Sequence, residues 1–123
     1  MENTIIQNQA IGQSTWIDFI QRSMLTTGKL GELVKQGVTG LTSNPTIFEK
    51  AVSTTTDYDE ALREFADSDA SATDIFEAIA VEDIQGAADI LRTVYDHTGG
   101  RDGYASLEVA PALAHNTQST LSE

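Results

Sequence analysis

Apolar residues recur along this chain with two different periods, and the changes between them outline a fold. Ser14-Thr15-Trp16-Ile17-Asp18-Phe19 is rich in β-branched and aromatic residues and predicts a first strand. Period two puts Trp16 and Asp18 on one face of it, and Ile17 and Phe19 on the other. Leu30, Leu33 and Val34 then follow helical spacing, and Gly37 suits the position just past a helix end. Val38 to Ser43 reads as a second strand. Asn44-Pro45 opens the next helix, because proline fits a first helical turn and asparagine is a natural N-cap before it. Ile47, Phe48, Ala51 and Val52 give that helix its apolar face.

A Ser/Thr run interrupts the pattern before Asp57, which has Glu60 three residues on in a capping-box arrangement. Tyr58, Ala61, Leu62, Phe65 and Ala66 predict a helix there, and residues 67–73 a polar connection. Ile75, Phe76 and Ile79 begin another helical stretch. Ile84, Ala87, Ala88, Leu91 and Tyr95 carry the period on to Gly99-Gly100. After the turn Arg101-Asp102-Gly103, the run from Tyr104 to Val109 alternates as a third strand, with Ser106 and Glu108 on one face. Pro111 ends it, and residues 112–123 look like a loop and the opening of a helix. Residues 1–13 lack periodicity and read as a lead-in to a unit spanning 14–123. Strands separated by helices imply parallel pairing with right-handed crossovers, an α/β architecture. No internal repeat is evident.

Composition narrows the partners. The 123 residues, 40% of them hydrophobic, suffice for one domain with its own core. Of the net charge of −12, ten units lie between residues 57 and 89, where eleven acids face Arg63 alone. Such a block is a partner-binding surface or, more simply, the solvated faces of helices. Nucleic acid and anionic membrane both need a basic footprint, so neither is expected as a partner. Without cysteine there is no disulfide and no thiol nucleophile. The polar first fourteen residues lack a secretory apolar segment, and no apolar run is long enough to cross a bilayer, so a cytoplasmic protein is the expectation.

The candidate chemistry sits at strand ends. Asp18 on the first strand, Thr42 with Asn44 on the second and Glu108 on the third all face away from the apolar, helix-facing side. Carboxylates inside an open two-sided sheet would be costly without partners. In a closed barrel the same side chains converge at the C-terminal mouth, where ligands bind. Two acids, a hydroxyl and an amide suit proton transfer at a polyol or carbonyl substrate. The plainer alternative leaves Asp18 and Glu108 as strand-end carboxylates in water. His97 and His115 are isolated and support no metal site; His97 suits a helix C-terminus. No glycine-rich phosphate loop is present. Trp16 reads as core, and Glu82-Asp83 and Asp57 to Glu60 as solvated helix starts.

Four blocks resemble the transaldolase family: Thr15-Trp16-Ile17-Asp18, Gly37 to Phe48 with its Thr42-Ser43-Asn44-Pro45, Asp83-Ile84-Gln85-Gly86-Ala87-Ala88-Asp89, and Asp102 to Val109. The similarity is to the longer bacterial type, sometimes fused to phosphoglucose isomerase. It runs from about residue 10 to the end. The resemblance implies a (β/α)8 TIM barrel of the pentose phosphate pathway, with no metal or organic cofactor. It implies transfer of a dihydroxyacetone unit through a lysine Schiff base. The sugar phosphates concerned are fructose 6-phosphate, sedoheptulose 7-phosphate, erythrose 4-phosphate and glyceraldehyde 3-phosphate. By the same resemblance Asp18 is the acid that moves a proton at the substrate hydroxyl. Thr42 and Asn44 bind the dihydroxyacetone part, and Glu108 acts through a water in forming and hydrolysing the Schiff base.

The nucleophile is missing from the pattern. Lys29, Lys35 and Lys50 all fall in or beside predicted helices, while the family's reactive lysine lies on a fourth strand. None of Arg22, Arg63, Arg92 and Arg101 matches its phosphate-binding arginines. A complete barrel takes about 250 residues and eight strands. The expectation is therefore about the first three β/α units of a barrel, inactive alone and prone to self-association through exposed edges. Two alternatives stay open. One is a non-catalytic module that pairs with itself or completes a barrel with the remainder. The other is a related Schiff-base aldolase acting on free dihydroxyacetone.

Overall fold

The computed structural model describes residues 3–123. Its elements are α1 (Thr4–Ala10), β1 (Trp16–Asp18), α2 (Arg22–Thr26), α3 (Lys29–Lys35), β2 (Gly40–Ser43), α4 (Pro45–Thr54), α5 (Asp59–Glu64), α6 (Ala72–Thr98), β3 (Tyr104–Leu107), a 3-10 turn (Pro111–Leu113) and α7 (Thr117–Ser122).

The three strands form one parallel sheet in the order β1-β2-β3. Trp16, Gly40 and Tyr104 are level with one another, and so are Asp18, Thr42 and Ser106. Two right-handed crossovers that step the same way across a sheet leave their helices on the same side. The burial agrees. Leu41 lies in the core with Ile20, Leu30, Phe48, Ala80, Ala87 and Leu91, and Ile17 and Ala105 pack against that cluster. The residues of opposite parity, Trp16, Asp18 and Tyr104, are exposed. The sheet thus has an outer face under helices and an inner face without them.

Local chemistry explains the boundaries. The Asn44 carboxamide oxygen accepts from the Ile47 amide at 3.0 Å, capping α4 as its Asn-Pro start predicts. At the end of α3, the amides of Gly37 and Val38 bond back to the carbonyls of Val34 and Leu33. The helix α6 runs unbroken for 27 residues, from a Ser71/Asp74 capping box to Gly99. All three strands are shorter than their alternating runs, yet the ladder continues at the ends. Thr39 N bonds Thr15 O and Gly103 N bonds Thr39 O, both at 2.9 Å, and Glu108 N reaches Ser43 O at 3.3 Å.

Three features depart from the sequence reading. The aperiodic lead-in contains α1, capped by Asn3 and fastened by hydrogen bonds from Asn3 and Gln9 to the carbonyls of Gln36 and Gly37. Its helical character comes from a cap and long-range bonds, not from an apolar stripe. Asp57 and Glu60 form no capping box: α5 begins after Tyr58, and the Asp57 carboxylate instead accepts from Ser23 N at 3.0 Å in the first turn of α2. Asp83 is no solvated helix start either. It lies within α6 and is 2% exposed.

Candidate functional site

The inner face is built in rows. Parallel strands stand about 4.8 Å apart and rise about 3.3 Å per residue, so each row lies roughly 6.6 Å above the one before it on the same face. The lowest is Trp16–Gly40–Tyr104, and the next is Asp18–Thr42–Ser106. Continuing the register by two residues puts Asn44 level with Glu108, above Thr42. The Thr42 hydroxyl donates to Glu108 Oε1 at 3.5 Å, a long contact that a ligand can replace or tighten.

All four residues singled out from the sequence therefore lie at the same end of the same sheet, the end where the helices begin. Thr42 and Glu108 touch. Asp18 stands level with Thr42 on the neighbouring strand, and two strands from Glu108, a span on the order of 10 Å. Asn44 is committed at one end: its oxygen holds the α4 cap, so the amide NH2 is the end that can turn to a ligand. Two acids so placed can each carry a proton at one end of a ligand held between them.

The amines stand elsewhere. Lys29 and Lys35 lie on α3 and Lys50 on α4, all three exposed, and Lys35 pairs with Glu32 at 2.6 Å. They belong to the helical layer, on the opposite side of the sheet from Asp18 and Glu108. An apolar cavity of about 320 Å³ opens between Phe48, Phe76, Leu107 and Val109 and reaches Glu108, and a polar groove of similar size lies on the helical side between Arg22, Asp57, Glu64 and Glu82. Three strands make an arc with no opposite wall, so the inner face is open rather than a pocket. Among the described residues, no group of three or more His, Asp or Glu comes together as a metal ligand set. No helix among them is long and apolar enough to cross a membrane.

One charged network escaped the sequence reading. Arg22 Nε meets Asp83 Oδ1 at 2.8 Å, and its other arm meets Glu82 at 2.7 Å. The Tyr58 hydroxyl donates to Asp83 Oδ2 at 2.8 Å while accepting from Arg22 N at 3.0 Å. Burial pushes the Asp83 carboxyl above its ordinary value, and the bonds from Tyr58 and Arg22 only partly offset that. Burial and the bond to Asp83 likewise push the Tyr58 phenol up. This network ties α2, α5 and α6 together behind the sheet. The only hint of it in the sequence is an acid standing at core spacing in the helix, between Ile79 and Ala87.

This geometry can be set beside known proteins. A family model described as Transaldolase/Fructose-6-phosphate aldolase matches residues 15–123. This chain belongs to that family. It is 45% identical over 113 residues to Transaldolase 2 of Streptomyces coelicolor, a match spanning 91% of this chain and 30% of that protein. It is 47% identical over 113 residues to a transaldolase of Saccharopolyspora erythraea, again across 91% of this chain and 30% of the relative. With a transaldolase of Frankia alni the identity is 43% over 124 residues, covering 100% of this chain and 33% of the other. The chain thus spans about a third of the length of these relatives. The match takes in β1, β2, β3 and every residue of the two upper rows, but not α1.

Proposed function

We propose that the complete protein carrying this segment is a transaldolase, moving a dihydroxyacetone unit between sugar phosphates through a lysine Schiff base. In that reading the chain forms about the first three β/α units of a (β/α)8 barrel. The donors are fructose 6-phosphate and sedoheptulose 7-phosphate, and the acceptors are erythrose 4-phosphate and glyceraldehyde 3-phosphate. One observation carries it: Asp18, Thr42, Asn44 and Glu108 come from three parallel strands to the helix-free face, at the strands' C-terminal ends. In a barrel that is the mouth, where chemistry is done.

The roles follow from position and chemistry. Asp18 takes and returns the proton of the substrate hydroxyl as the carbon–carbon bond breaks and forms. Glu108, in contact with Thr42, activates a water during formation and hydrolysis of the Schiff base. Thr42 and Asn44 hold the hydroxyl and carbonyl groups of the three-carbon unit. The nucleophile must be an amine in the interior, and the three lysines here sit on outer helices. The amine and the phosphate-binding cations then come from residues beyond this segment, and the 123-residue chain alone is inactive. The relatives' names favour a transaldolase over an aldolase acting on free dihydroxyacetone.

A second reading has its own observation. Trp16, Tyr104, Leu107 and Val109 are exposed apolar groups on or beside the two edge strands, the kind of surface that drives self-association or complementation of a barrel. One hybrid separates the two readings. Residues 1–123 are joined to the remaining two-thirds of the Streptomyces coelicolor relative and assayed for transfer from fructose 6-phosphate to erythrose 4-phosphate. Transfer supports the proposal. A folded hybrid without transfer, from a parent relative that is active, contradicts it.

A further inference from the structure

Below the row of Asp18 and Thr42 lies a row whose chemistry no catalytic role absorbs. Gly40 is the middle of it, and a Cβ built there would stand 2.4 to 2.7 Å from the indole ring of Trp16. The ring therefore lies flat across the inner face of β2, in the space where any other residue would carry its side chain. Tyr104 flanks Gly40 on the far side, its hydroxyl bonded to Gly100 O at 2.6 Å and its ring edge-on to Tyr95 with centroids 5.5 Å apart.

The indole is also held. Its Nε1–H donates to Asp102 Oδ1 at 3.1 Å, across 86 residues of chain. Asp102 is 8% exposed and is fixed in turn by the Ser14 hydroxyl and by Gly103 N at 3.2 Å. A buried carboxylate with several donors does not move to follow a side chain, so the side chain follows it. Yet Trp16, on the helix-free face by its register with Gly40, remains 38% exposed. An aromatic ring that is clamped at its polar end, seated on a glycine and open above is a floor.

We propose that Trp16, laid over Gly40 and clamped by Asp102, is a specificity-determining residue, the floor on which a bound three-carbon ketone rests beneath Asp18, Thr42 and Glu108. The floor rests on the transaldolase-type reading of the rows above it. Its physical effect is to fix depth. A carbonyl compound held by Thr42 and Asn44 cannot sink toward the strands' N-terminal ends, and its carbon chain meets an apolar ring instead of water. Releasing the ring from Asp102 lets it swing and leaves that depth undefined. Trp16 acts by contact with the ligand, and Asp102 is a positioning residue that acts through Trp16.

Trp16 is the only tryptophan, so its indole N–H gives a single resonance in a proton–nitrogen correlation spectrum of this chain. Dihydroxyacetone is the probe, titrated into the labelled 123-residue protein. The indole signal is expected to move and saturate together with the amides of Asp18, Thr42 and Glu108. Asp102→Ala, which removes the acceptor of the indole N–H, is expected to weaken the apparent affinity roughly 3- to 10-fold, the scale of one lost hydrogen bond. Trp16→Phe keeps a ring over Gly40 but not the N–H that Asp102 holds, and is expected to weaken binding by a similar factor, read from the amide shifts. If those amides move while the indole signal stays still, or Asp102→Ala binds as the parent does, the floor is wrong and the site above it stands. If no signal moves, the floor falls, while the transaldolase reading is decided by the hybrid, which carries the amine.

Discussion

Arg22 and Asp83 meet at 2.8 Å behind the sheet, with the carboxylate 2% and the guanidinium 18% exposed. Neither is near the inner face, yet between them they join α2 to α6 and, through Tyr58, the segment before α5. Removing Asp83 strands the buried Tyr58 hydroxyl and one arm of Arg22, whose other arm keeps Glu82. Asp83→Ala is expected to lower stability by about 1–3 kcal/mol, and the double change Arg22→Met with Asp83→Leu, which fills the space left by the pair, by less. Urea unfolding followed by circular dichroism measures both. Equal losses in the single and double variants would show that the pair's shape, not its charge, matters.

Two glycines admit close approach, with different tolerances. Gly40→Ala pushes a Cβ into the Trp16 ring, a side chain that can swing, so a loss of about 1–3 kcal/mol is expected together with a changed tryptophan emission. Gly103→Ala meets the backbone nitrogen of Tyr95 at 2.3 Å from a residue with φ of +92°, where nothing can swing away. It is expected to be the more damaging, because it lifts β3 off α6. A Gly103→Ala protein melting within a few degrees of the parent would contradict this packing.

Asp57 caps a helix to which it does not belong. Asp57→Ala is expected to cost about 1 kcal/mol through the first turn of α2, whereas Glu60→Ala, free of the capping role its spacing suggests, should change stability by less than about 0.5 kcal/mol. Thermal melts of the two variants decide between the observed cap and a capping box.

Acid should unfold the chain partly through two carboxylates. Hydrogen bonds from Gln21 and Ser23 hold Asp57 below its ordinary value of 3.8. For Asp102, burial pushes the carboxyl up, but the bonds from Ser14, Thr39, Trp16 and Gly103 outweigh it and the net shift is downward from 3.8. A lowered folded value means that the stabilisation is complete above the ordinary value and is lost as pH falls from 3.8 through the folded value. Asp83, raised by burial, has the opposite sign. Melting temperatures taken downward from about pH 6 should fall steeply below about pH 4. That limb should be shallower in Asp102→Asn and Asp57→Asn. An unchanged limb in both would place the acid sensitivity elsewhere.

Much of this fold was legible because each strand alternates and each long helix has a cap. Ile17, Leu41 and Ala105 turn outward and Asp18, Thr42 and Ser106 inward, as period two requires, and Asn44-Pro45 starts its helix where the cap chemistry says. Parity alone therefore brought Asp18, Thr42 and Glu108 to one face. What could not be read were interactions that join distant segments. The Asp57 cap on α2, the Asn3 and Gln9 bonds that dock α1, and the burial of Asp83 against Arg22 have no local periodicity to announce them. Trp16, read as core, is 38% exposed on the inner face, because no strand among the described residues stands opposite it.

The proposed proton transfers give a further expectation in the hybrid enzyme. Asp18→Asn and Glu108→Gln are each expected to lower kcat for dihydroxyacetone transfer by about 10²- to 10⁴-fold, the usual worth of a general acid or base, with a smaller effect on KM. Thr42→Val should act mainly on KM. Wild-type kcat in Asp18→Asn would remove that carboxylate from the chemistry.

The most direct measurement is borohydride trapping with fructose 6-phosphate, read by intact mass on the 123-residue chain and on the hybrid. The account predicts that the chain keeps its unmodified mass of 13.2 kDa while the hybrid gains a reduced dihydroxyacetone adduct on a lysine beyond residue 123. An adduct on the chain at Lys29, Lys35 or Lys50 would contradict it, because a helix-borne lysine would then be the nucleophile and the inner face would not be where the reaction occurs.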